Sequence, residues 1–167
     1  MGRLAINRIH PDFPGLQVLN CLLGGYFGSR LMANIREDKG YTYGIGSAVV
    51  SMRDAGYFFI ATEVGADVCT AALGEIEKEV NLLKSSLVES PELDLVRNYM
   101  LGSMLGSLEN AFSHADKFKN VYFSGLDYGY YDDYIKTVKN IDREEIMRLA
   151  AKYLDFENFT KVIVGRK

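Results

Sequence analysis

Two side chains with chemistry to offer stand seven residues apart, Arg36 and Tyr43, inside the segment LLGGYFGSRLMANIREDKGYTYGIG at residues 22–46. A guanidinium presents several donors in a fixed fork, and a phenol adds one more donor or an acceptor. Set on either side of a tight helix-to-strand connection, such a pair can hold peptide carbonyls. It can equally hold the oxyanion that develops when a peptide bond is attacked. The structural alternative is that Arg36 serves its own helix C-terminus, or pairs with Glu37 or Asp38, while Tyr43 packs. From the residue types alone, that alternative is favoured.

Other chemistry-bearing residues are thinner. Gly24, Gly25 and Gly28 bring backbone amides close together, as a phosphate cradle requires. Yet GGYFG matches neither GxGxxG nor GxxxxGK[ST] and follows no strand, so a sharp corner between two helices is the preferred reading. The two histidines, His10 and His114, lie far apart, and neither has a second histidine four residues away. They read as surface or hydrogen-bonded residues rather than metal ligands. Cys21 and Cys69 fall within apolar patterns without CxxC spacing, and read as small buried hydrophobes. Tyr122, Phe123, Tyr128, Tyr130, Tyr131 and Tyr134 could contact a peptide, but aromatics this dense are read as packing helix against helix. Glu75, Glu77, Lys78 and Glu79 read as the solvated face of a helix, and Met100 and Met104 as core fillers one turn apart.

The elements that must position Arg36 and Tyr43 follow from periodicity. A first strand is expected over residues 3–9, then a helix over 14–23 with Leu16, Leu19, Leu22 and Leu23 at helical spacing. Ser29 is the expected N-cap of a second helix and Gly40 its stop. Strands at 43–51 and 57–64 flank a hairpin signal at Arg53-Asp54-Ala55-Gly56. A long helix is expected over 67–87, and Ser90-Pro91-Glu92, read as a cap with proline at the first helical position, opens another that reaches about Gly106. Helices at 111–123 and 130–139 follow, then one opened by an Asp142-to-Glu145 capping box, and a closing strand at 159–164. The sum is an α+β fold: a single largely antiparallel β-sheet packed against several α-helices on one face.

With 167 residues, 48% hydrophobic and 25% charged, the chain is read as one packed domain spanning 1–167. A net charge of −3 gives no reason to expect nucleic-acid binding, and no apolar run is long enough for a membrane span. Met1-Gly2 leads directly into extended-looking sequence, the pattern of a chain truncated at its N-terminus, with no signal-peptide pattern. A soluble protein, cytoplasmic or periplasmic, is expected, with the compartment open.

The segment LGGYFGSRLMANIREDKGYTYGIGS resembles the insulinase/pitrilysin family of zinc peptidases, which includes mitochondrial processing peptidase and many bacterial zinc proteases. The early helix, the glycine corner, the Ser29-Arg30-Leu31 start and the Arg36-to-Tyr43 spacing carry the likeness, and the later order of elements fits it. The family is built from homologous α+β units. One carries the zinc motif HxxEH with a downstream glutamate; its partner supplies an arginine and a tyrosine near the scissile bond. The resemblance places Arg36 and Tyr43 in those two substrate-binding positions. No HxxEH occurs in this sequence, so a three-ligand zinc site with its general-base glutamate cannot be assembled from the family motif. The chain therefore resembles the C-terminal, non-metal-binding unit. The resemblance implies no catalytic residue or metal site here, and zinc in an HxxEH-bearing domain or subunit. A peptide is the implied substrate. A non-catalytic scaffold subunit of the same family is the alternative, and a partner's burial of the exposed sheet face or edge also allows a homodimer.

Overall fold

The computed structural model describes residues 1–165. Three strands, β1 (Gly2–Ala5), β2 (Ile45–Ser51) and β3 (Gly56–Thr62), form an antiparallel sheet in the order β1-β3-β2. The hairpin expected at 53–56 joins β2 to β3, with Ser51 opposite Gly56 and Ile45 opposite Thr62. Alternation sets the faces: Phe58 and Ile60 of β3 and Ile45 and Ser47 of β2 are buried, whereas Tyr57 is exposed.

Helices cover the inward face. Helix α1 (Phe13–Asn20) is buried on nearly every side, with Phe13, Leu16, Val18 and Leu19 all within the core. Each such side chain contributes about 1.5–3 kcal/mol relative to an exposed one. The remaining helices are α2 (Cys69–Ser85), α3 (Ser90–Gly106), α4 (Ala111–Tyr122), α5 (Gly129–Asn140) and α6 (Arg143–Tyr153), of which α3, α5 and α6 pack against α1 and α2 packs against α6. Ile76, Val80 and Leu83 of α2 and Ile146 and Leu149 of α6 join one contiguous core with the sheet residues. The α+β architecture read from the sequence is thus the one observed. Among the described residues, no helix is long and apolar enough to cross a membrane.

Several local readings need correction. The first strand ends at Ala5 rather than residue 9, because Asn7 and His10 make a turn: the His10 amide donates to the Asn7 carbonyl at 3.1 Å. The closing strand at 159–164 reduces to one bridge, in which Gly2 and Thr160 exchange backbone bonds of 3.0 and 2.9 Å. Beyond that bridge, residues 161–164 make no backbone hydrogen bond to a strand among the described residues. Val162, Ile163 and Val164 are accordingly exposed. Ser90 is the first residue of α3 rather than its cap, and Pro91 follows it. The Asp142 cap holds, its carboxylate accepting from the Glu145 amide at 2.7 Å.

Glu79 is not on a solvated face. It is buried and accepts from Asn34 Nδ2 at 2.7 Å, while the same amide nitrogen donates to Glu75 at 2.9 Å. Cys21 is buried, and burial pushes its thiol up to about 12, but Cys69 is only half-buried. The aromatic segment divides in two. Tyr122, Phe123 and Tyr128 are exposed, whereas Tyr130, Tyr131 and Tyr134 turn toward α1 and α3 and line a cavity with residues of both.

Candidate functional site

The segment 22–46 folds as two wide-turned helical pieces joined by a corner. Helix α1 continues as a π-helix, Cys21–Gly25, and a second π-helix covers Met32–Asp38. Such i→i+5 segments are rare and often accompany functional sites. The glycines make the corner, as read from the sequence. A Cβ on Gly24 would stand 2.6 Å from Ser47 Oγ and 2.8 Å from its backbone nitrogen, so only glycine lets this turn rest on β2. Ser29 occupies the position before the second helical segment, and its carbonyl accepts from the Ala33 amide at 2.9 Å. Its buried hydroxyl nonetheless makes no hydrogen bond among the described residues, so the expected side-chain cap is not formed.

Side-chain anchors fix the Met32–Asp38 helix. Arg30 grips Glu92 of α3 through two parallel bonds of 2.7 Å, the bidentate geometry that guanidinium and carboxylate favour. That bond to Glu92 raises the Arg30 pKa despite the burial that opposes it. Asn34 ties the same helix to α2 through Glu75 and Glu79. Arg36 lies one half-turn beyond Asn34 and projects from the outer side of this anchored piece.

Gly40 ends the helix with a φ of +64°, the left-handed conformation that glycine adopts at least cost, and the Tyr41 amide reaches back to the Ile35 carbonyl at 3.0 Å. The chain then turns through Thr42 and Tyr43 into β2. Arg36 and Tyr43 do flank this connection. Arg36 Nε donates to the Tyr43 carbonyl at 3.0 Å, and its guanidinium carbon lies 4.6 Å from the centre of the Phe27 ring. Its Nη1 is 3.7 Å from a Glu37 carboxylate oxygen, a loose surface pair of small energetic weight. The Tyr43 ring is fully exposed, so the packed alternative for this residue does not hold. The two residues share an open cavity of about 690 Å³ with Gly40, Thr42, Glu63 and Val64.

Thr42 is the pin of the connection. Its hydroxyl donates to the Glu63 carbonyl at 2.6 Å and accepts from the Gly44 amide at 3.1 Å, joining the corner to the end of β3. Neither Thr42 nor Phe27 was singled out in the sequence, where a lone hydroxyl and a lone ring between glycines carry no periodic signal. Of an arginine's five N–H donors, Arg36 uses one in a hydrogen bond within the described residues; the other four make none, although Nη1 stands 3.7 Å from Glu37. Rigid backbone, four cationic donors and a free phenol form a surface able to hold carbonyl oxygens or a developing oxyanion.

His10 and His114 do not join this site. His10 Nδ1 accepts from the Asp12 amide at 3.0 Å, and His114 lies exposed on α4. Among the described residues, no three His, Cys, Asp or Glu side chains are grouped so as to hold a metal ion.

The sequence profile described as the peptidase M16 inactive domain matches residues 2–100. An uncharacterized zinc protease, YmxG of Bacillus subtilis, is 36% identical over 104 residues, covering 62% of this chain and 25% of that protein. The non-peptidase homolog YmxG of Helicobacter pylori is 25% identical over 166 residues, covering 97% of this chain and 38% of its own. The crystal structure of a peptidase M16 inactive domain from Pseudomonas fluorescens superposes with a TM-score of 0.84 at 26% identity, covering 92% of this chain and 37% of that one. The chain thus spans between a quarter and two fifths of the length of these relatives. The likeness to zinc peptidases seen in the segment around Arg36 and Tyr43 is borne out, and the chain belongs to the peptidase M16 inactive domain family.

Proposed function

We propose that this chain is the substrate-binding, cleft-completing unit of a zinc endopeptidase, the C-terminal partner of a unit that carries HxxEH and the metal. The observation that carries the reading is the Arg36/Tyr43 corner, with four guanidinium donors and an exposed phenol held on a pinned helix-to-strand turn. Zinc in the partner unit supplies Lewis-acid activation of the attacking water and the scissile carbonyl. Arg36 and Tyr43 bind and orient the peptide backbone beside it. Relatives named as zinc proteases, of which this chain spans only part, support placement beside a catalytic unit.

Rigidity is the contribution of this chain's own architecture. Donors fixed before the substrate arrives need no reorganisation as charge develops, which is what makes them effective toward a transition state. Arg36 sits two residues from the buried Asn34–Glu79 bond, and its Nε is spent on the Tyr43 carbonyl, so the fork is aimed by the fold.

The test is turnover of a peptide by the chain joined to its HxxEH-bearing unit. Arg36→Ala removes charge-assisted bonds and is expected to lower kcat/KM by about 10- to 100-fold; Tyr43→Phe, which removes one neutral donor, by about fivefold. Wild-type kinetics in both variants would support the scaffold reading instead.

A further inference from the structure

A second cavity, of about 410 Å³, lies between α1, α3, α4 and α5 and shares no lining residue with the Arg36/Tyr43 corner. Its volume is in the range of small-molecule sites. Two cations line it, Arg8 from the turn after β1 and Lys117 from α4, together with Gln17, Tyr130, Tyr131 and Tyr134. No aspartate or glutamate is among its lining residues.

Neither cation has a carboxylate partner among the described residues. Arg8 Nη1 donates to the Asn120 carbonyl at 3.0 Å, a neutral acceptor, and the guanidinium carbon lies 5.6 Å from the centre of the Tyr130 ring. Arg8 Nε is buried and makes no hydrogen bond among the described residues. A buried charged donor left without a partner is costly and rare in folded proteins. Lys117 Nζ is 5.3 Å from the centre of the Tyr131 ring, again without a counter-charge. Its ammonium is held below the usual lysine range, first by burial and then by repulsion from Arg8. Burial pushes the Tyr130 and Tyr134 hydroxyls up to about 12, against a lowering by Arg8 beside Tyr130, so both stay protonated and able to donate.

Two other cations of α4 and α5 are paired within their own helices, whereas Lys139, outside the cavity, has no ion pair among the described residues. Lys119 pairs with Asp116 at 2.7 Å, and Lys136 with Asp133 at 3.2 Å. Arg97 and Arg143 also bury an Nε without a hydrogen bond, but neither lines this cavity; what sets Arg8 and Lys117 apart is that both line one cavity without a carboxylate. We propose that it binds an oxyanion, the carboxylate or phosphate group of a small molecule, between Arg8 and Lys117, with the Tyr130 and Tyr134 hydroxyls as further donors. A single anion there satisfies the orphaned Arg8 Nε, cancels the repulsion between the two cations and accepts from the two phenols.

The test is a titration of the 167-residue chain with inorganic phosphate and with benzoate, against chloride at matched ionic strength. The Arg8 Nε–H resonance is followed by heteronuclear NMR. A saturable shift with either oxyanion and not with chloride is expected; saturation by phosphate alone marks a phosphoryl ligand, by benzoate alone a carboxylate with an apolar body. Lys117→Gln is expected to weaken binding about tenfold, read on the same resonance, as loss of a charge-assisted bond implies. Arg8→Gln, followed by the tyrosine ring signals, should do the same, while Lys119→Gln should leave affinity unchanged. Shifts that never saturate, or that match chloride, overturn the proposal. So does unaltered affinity in Lys117→Gln and Arg8→Gln chains that keep the wild-type circular dichroism spectrum.

Discussion

Replacing Asn34 by alanine isolates what holds the site-bearing helix in place. Asn34 Nδ2 donates to two carboxylates, Glu79 at 2.7 Å and Glu75 at 2.9 Å. Their fates differ once the amide is gone. Glu75 keeps Lys78 at 3.4 Å and Lys39 at 3.9 Å, so its loss is small. Glu79 is buried, and Asn34 is its sole side-chain hydrogen-bond partner among the described residues. A bond to a buried charge is worth about 1.5–3 kcal/mol, and the stranded carboxylate adds desolvation cost, so Asn34→Ala should destabilise by about 3 kcal/mol. That is a large share of the ~5–15 kcal/mol that holds an ordinary domain together. Urea unfolding at neutral pH reads the change as a lower midpoint at constant slope. Adding Glu79→Met should recover most of the loss, because no charge is then left unpaired, and the cycle should show coupling of at least ~1.5 kcal/mol. A cost below ~0.5 kcal/mol for Asn34→Ala, or simple additivity in the double variant, would refute the reasoning.

Asp12 supplies an acid-sensitive tie between α1 and α6. Burial pushes its carboxyl up, but hydrogen bonds from Lys152, Tyr153 and Arg148 outweigh that and hold it at about 2, below its ordinary 3.8. Because the folded value is the lower one, its stabilisation is complete above pH ~4 and disappears as pH falls through about 2. With Arg148 and Lys152 half-exposed, the wild type should exceed Asp12→Asn by about 1–2 kcal/mol at pH 6 and by nearly nothing at pH 2 in denaturant titrations. A gap independent of pH contradicts this. Gly24→Ala drives a methyl into the Ser47 backbone and should lower stability by about 1–3 kcal/mol, whereas Gly74→Ala, in α2 with open space around it, should raise it by about 0.5–1 kcal/mol. Thermal melts of the two variants moving in the same direction would contradict the packing described for the corner.

Much of this was legible because local physics and tertiary packing agreed. Leucines at helical spacing, the Asp142 cap and the Arg53–Gly56 hairpin each act within a few residues, and each folded as read. The misses were non-local. Nothing in the local pattern distinguishes Glu79 from Glu75 and Glu77 as the buried member, since that depends on Asn34 arriving 45 residues away in sequence. The closing strand reduced to a single bridge with Gly2, because strand propensity does not supply a pairing partner, which is a tertiary matter. At the site, spacing alone placed Arg36 and Tyr43 at one corner. It could not show that Arg36 would clasp the Tyr43 backbone while the phenol stayed free, nor that Thr42 would pin the turn to β3. The unpaired Arg8 and Lys117 were equally hidden, because they come from segments more than a hundred residues apart.

The most direct measurement of the central claim is a photocrosslink from position 43 in the assembled peptidase. Tyr43 is fully exposed, so a benzoylphenylalanine placed there is tolerated without disturbing the core. With a labelled substrate peptide bound to a catalytically disabled HxxEH unit, mass spectrometry should find the crosslink on peptide residues adjoining the scissile bond. It should diminish when Arg36→Ala is added. Crosslinks that never reach the peptide, or that reach it equally with and without Arg36, would contradict a substrate-binding role for this corner.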